Sequence, residues 1–132
     1  MKQVFVIPFV LAVAAALGYM TLKWAARPIH VHEMTLAMAP SLLAGMTAIA
    51  PALLQRPFGA AAVVQGAFYG MIIHLVMTLF LGVALFMLFR IHGEGVTPYA
   101  LWLMWFFWVS LSAVAYVLIR LIRTTPIALP KQ

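Results

Sequence analysis

Four apolar stretches, at about residues 3–22, 34–54, 62–89 and 99–119, take up most of this 132-residue chain, and its ionised side chains lie outside them. Each stretch is close to or above the ~20 residues that a helix needs to cross ~30 Å of hydrocarbon at ~1.5 Å per residue. Only 8% of the residues are charged, against roughly 25% in soluble domains. The expected fold is an all-α integral membrane protein, a single domain over residues 1–132 with four transmembrane helices in a compact antiparallel bundle. The longest polar connection, residues 23–33, leaves no room for a soluble catalytic domain, a phosphate-binding Gly-rich loop or a nucleic-acid module.

The net charge of +6 does not point to nucleic acid, because Lys2, Lys23, Arg27, Arg56, Arg90, Arg120, Arg123 and Lys131 are scattered among the helix ends. Cations so placed extend toward lipid headgroups and set orientation. The absence of cysteine excludes disulfides and thiolate metal ligation within the chain. The first stretch resembles a signal peptide, but it is long enough to span and no persuasive small-x-small cleavage site precedes Lys23, so it reads as a retained signal anchor. Four spans put Lys2, Arg56, Arg120, Arg123 and Lys131 on one side and Lys23, Arg27 and Arg90 on the other. The excess places both termini in the cytoplasm. Glu33 and Glu94, the only acids, then face outward with His30, His32 and His92, near a belt of Trp24, Tyr99, Trp102 and Trp105 whose polar tips hydrate at the interface.

The second stretch carries small residues at Ala37, Ser41, Gly45, Ala48 and Ala52, a stripe that permits close helix approach. Pro40 and Pro51 predict a kink and an ending, respectively. In the third stretch, Gly66, Gly70, His74, Thr78 and Gly82 are each four residues apart and share one face. That face must meet protein, since an imidazole and a hydroxyl turned to lipid cost free energy. The fourth stretch, with Trp102, Trp105, Phe106, Phe107 and Trp108, reads as a bulky lipid-facing wall or docking surface.

His74 is an ionisable group at bilayer depth, which marks it as a candidate for proton handling, subunit docking or simple helix tying. No second histidine stands at that depth to complete haem ligation. Outside the spans, His30, His32, Glu33, His92 and Glu94 form a set chemically suited to copper, iron or zinc, although loops also collect such residues for solvation alone. Ser41, Ser110 and Ser112 lack a nearby acid, and no His-Glu-x-x-His motif is present, so the chain offers little for hydrolysis.

The run Ser41-Leu42-Leu43-Ala44-Gly45 through Pro51 and Arg56, then Phe68-Tyr69-Gly70 with His74, Thr78 and Phe80, resembles the ATP synthase protein I family. Met71 and His74 stand where that family carries Glu and Lys. The resemblance implies an assembly or accessory factor of the bacterial inner membrane that contacts the c-subunit ring, with a disputed cation-transport role, and it makes His74 a polar anchor. The leading expectation is a non-catalytic accessory subunit of an energy-transducing complex. Its partners would be lipid and other integral membrane subunits, met through Gly66, Gly70, His74, Thr78, Gly82, Ala37, Ser41 and Gly45. The alternatives are a copper-, iron- or haem-bearing, quinol-linked redox subunit and a small oligomeric proton or cation transporter gated by His74.

Overall fold

A computed structural model describes residues 2 and 5–127. Lys131 and residues 3–4 of the first predicted stretch lie outside the described residues. All regular structure among the described residues is helical: α1 (Val6–Trp24), α2 (Val31–Gln55), α3 (Ala60–Leu88) and α4 (Val96–Thr124), with short 3-10 turns at Arg56–Phe58 and Gly93–Gly95. All four long helices have the length and apolar character to cross a membrane.

The helix boundaries extend beyond the apolar windows where polar side chains suit a helix end. α2 begins at Val31 and takes Glu33 into its first turn, where a carboxylate opposes the positive end of the helix dipole. α4 continues past residue 119 to Thr124 and takes Arg123 into its last turn, the complementary arrangement at the negative end. α2 runs through both Pro40 and Pro51, so the ending expected near Pro51 is corrected to Gln55. Each proline removes one backbone donor, a loss that packing on both sides of a central helix can offset. The chain turns into α3 at Pro57 and at Gly59, whose φ of 100° favours glycine.

The helices divide into a central pair and two flanking members. Over their apolar windows, α2 and α4 are 44% and 39% buried, whereas α1 and α3 are each 17% buried. α3 packs against α2 and α4, while α1 packs mainly on α4 and less on α2. This arrangement corrects the reading of α4 as an outer wall. Trp102 and Phe106 are buried with Val114, Val117 and Leu121, whereas Trp105 and Trp108 of the same helix are exposed. Bulky aromatic residues on both faces of α4 mask the periodic signal of which face turns inward.

Candidate functional site at the centre of the fold

The small-residue stripes explain how α2 and α3 come so close. A Cβ on Gly66 would stand 2.7 Å from the Pro51 carbonyl oxygen and 2.8 Å from the Ala52 Cα. A Cβ on Gly70 would collide with the Ala48 carbonyl oxygen. Both glycines therefore place backbone against backbone, which larger residues would prevent. Toward its other end the same α3 stripe meets α4: a Cβ on Gly82 would lie 2.7 Å from Leu103 Cδ2. Tyr99 donates from its hydroxyl to the Gly82 carbonyl oxygen at 2.6 Å, with its ring 6.0 Å from Phe86. The Tyr99 hydroxyl is thus used inside the fold instead of hydrating at the interface.

His74 lies at the middle of α3, fourteen residues from each end, and is fully buried. Its Nε2 is 2.8 Å from Ser110 Oγ on α4, and Ser110 in turn donates to the Ser41 carbonyl oxygen on α2 at 3.0 Å. A serine hydroxyl has one proton. With that proton committed to Ser41, Ser110 receives a hydrogen bond from His74, so the imidazole carries its proton on Nε2. Gly45 makes the bridge accessible, because a Cβ there would stand 2.8 Å from Ser110 Oγ. Gly45 and Ser41 are one turn apart, so the missing side chain opens the path by which Ser110 reaches the α2 backbone. Three helices thus meet through two hydrogen bonds.

The node also contains buried polar atoms that lack partners. His74 Nδ1, Ser41 Oγ and Thr78 Oγ1 make no hydrogen bond, and such atoms are uncommon inside folded chains. The His74 ring centroid lies 5.4 Å from that of Phe107, so one side of the imidazole is covered by an aromatic ring. Ala37 is buried on α2 as well, which leaves every residue of the two small-residue stripes facing the interior of this chain. Their contacts are intramolecular.

The outer His and Glu residues have separate surroundings. His30 Nδ1 is 3.8 Å from Glu33 Oε2, and a Cβ on Gly95 would lie 2.9 Å from Glu33 Oε1. His32 stands edge-on to Phe89 at 6.3 Å between ring centroids, while His92 and Glu94 are exposed. Among the described residues, no three His, Asp or Glu side chains are gathered to hold a metal ion. Sequence reading missed the roles of Ser110 and Tyr99. The available signal was the spacing of Phe106, Ser110, Ala113 and Val117, which marks one buried face within the aromatic helix.

No family model, curated protein or solved structure matches the chain.

Proposed function

We propose that the chain is a non-catalytic accessory or assembly subunit of a larger energy-transducing complex in a bacterial inner membrane. On this reading it spans the bilayer four times as an antiparallel bundle, with both termini cytoplasmic. The observation that carries the proposal is the closure of the central polar residues on one another, from His74 through Ser110 to the Ser41 carbonyl oxygen. This arrangement ties helices together and presents no paired acid and base to a substrate. The energy-transducing context rests on the resemblance to the ATP synthase protein I family.

The intramolecular use of both stripes changes where partner helices would bind. The surfaces left free include the outward faces of α1 and α3, which expose Phe9, Val13, Phe68, Ile72, Val76 and Phe80. Native mass spectrometry of tagged protein extracted gently from its own host's membranes tests the proposal. Recovery with larger membrane subunits supports it; recovery only as a homo-oligomer contradicts it.

A second reading, an oligomeric proton or cation transporter, is favoured by the unpartnered Nδ1 of buried His74. It requires pH-dependent flux in liposomes that His74→Ala abolishes. Flux unchanged by that substitution removes His74 from the mechanism.

A further inference from the structure

One cavity lies apart from the central node. Between α1 and α4 is an open groove of about 860 Å³, within the ~300–1,000 Å³ range of small-molecule sites. Leu17, Gly18 and Leu22 form one wall, and Leu101, Trp102 and Trp105 form the other. Gly18 accounts for part of this shape: a Cβ there would stand 2.6 Å from the Trp102 ring, so the indole lies directly against the α1 backbone. From Thr97 to Trp105 the groove follows α4 for about 12 Å of helix rise.

The two ends of the groove differ chemically. The deep end is apolar, whereas Arg27, His30 and Thr97 stand at the mouth. Arg27 is exposed in the loop after α1, three residues beyond Trp24, which is 95% exposed. An exposed indole beside a cation is the side-chain pairing expected at headgroup depth. The nearby Glu33 carboxylate lies against His30, and no ion pair engages Arg27 among the described residues. The groove therefore offers an unopposed cation at the interface above an apolar slot that descends along two helices.

We infer that this groove binds one anionic phospholipid, with its phosphate at Arg27 and an acyl chain against Leu17, Leu101, Trp102 and Trp105. The inference rests on the membrane reading and goes beyond the accessory role. A guanidinium recognises a phosphate through charge-assisted hydrogen bonds, and the apolar slot matches a chain that would otherwise lie in bulk lipid. The site would fill the open space between α1 and α4 at this end of the fold.

Tryptophan quenching provides the test. The full chain carrying Trp24→Phe and Trp108→Phe, both at exposed positions, retains Trp102 and Trp105 in the groove. It is reconstituted with dibrominated phosphatidylglycerol or dibrominated phosphatidylcholine. Phosphatidylglycerol should reach half-maximal quenching at roughly fivefold lower mole fraction, the selectivity expected from one basic residue at an anionic lipid surface. Arg27→Gln should remove the preference, and Arg90→Gln, at an exposed position outside the groove, should retain it. Equal quenching by the two lipids overturns the site while leaving insertion intact. A preference that survives Arg27→Gln, or falls equally with Arg90→Gln, also overturns it. Absence of quenching by either lipid overturns both the site and the membrane reading.

Discussion

The junction of α2, α3 and α4 and the junction of α1 with α4 solve the same problem with different materials. At the first, glycines bring helix backbones into contact, and the His74–Ser110 pair bridges three helices. At the second, α1 meets α4 largely through side chains. Among the described residues, its one cross-helix side-chain bond runs from Trp105 Nε1 to the Ala14 carbonyl oxygen at 3.3 Å. Two clefts flank this seam: the large groove near Arg27 and a smaller one of about 500 Å³ lined by Val6, Val10, Trp108 and Tyr116. On the membrane reading, burial of apolar surface gives helices little net reason to associate, so close packing and hydrogen bonds decide which contacts are firm. On that basis the α2–α3–α4 unit is a locked core, and α1 is a weaker addition to it.

The largest break in this comparison should come from Gly70→Leu. The added side chain collides with the Ala48 backbone, which has no flexible end to move aside. Overpacking of this kind costs about 3 kcal/mol or more, and denaturant unfolding in detergent should show that loss or a failure to fold. Ser110→Ala should cost about 1–2 kcal/mol, because it leaves the buried His74 N–H without its partner. Removing both polar groups tests the interpretation. The double change His74→Leu with Ser110→Ala should be no less stable than Ser110→Ala alone, since no uncompensated imidazole remains. Additive losses in the same unfolding assay would show that the pair does not act as a unit.

Smaller effects separate the two junctions further. Tyr99→Phe removes the 2.6 Å bond to Gly82 and should destabilise the core by about 1 kcal/mol. Trp105→Phe removes the longer, partly buried bond to α1 and should cost about 0.5 kcal/mol or less. Its main effect should be faster protease cleavage in the 25–30 connection as α1 loosens. If Trp105→Phe unfolds the whole protein as readily as Ser110→Ala, α1 belongs to the locked unit and the distinction fails.

The four helices were legible because spans of this length and apolarity have few other solutions. The stripes on α2 and α3 were also legible, since residues four apart share a helix face. Their destination was not. A stripe reports that a face accepts close contact, but an intramolecular helix and a foreign subunit satisfy it equally well, and here Ala48, Pro51, Leu103 and Ser110 occupy the positions once open to a partner. The inner face of α4 was obscured because Trp102 and Phe106 inside are as bulky and aromatic as Trp105 and Trp108 outside. Ser110 looked inert for hydrolysis because it lacks an acid. Its actual partners are a histidine thirty-six residues away and the backbone of another helix. The outer His and Glu residues are close in sequence character, but His30 pairs with Glu33 while His92 points to solvent.

The central claim is that the bridge from His74 Nε2 through Ser110 Oγ to the Ser41 carbonyl oxygen holds α2, α3 and α4 together. Nitrogen-15 solid-state NMR of the histidine-labelled protein in lipid, with His30, His32 and His92 replaced to leave His74 alone, tests it directly. The account predicts a proton on Nε2, little exchange with deuterated water, and a shift in the Nε2 resonance when Ser110 becomes Ala. A proton resident on Nδ1, or an Nε2 signal that exchanges rapidly and ignores Ser110→Ala, would contradict it.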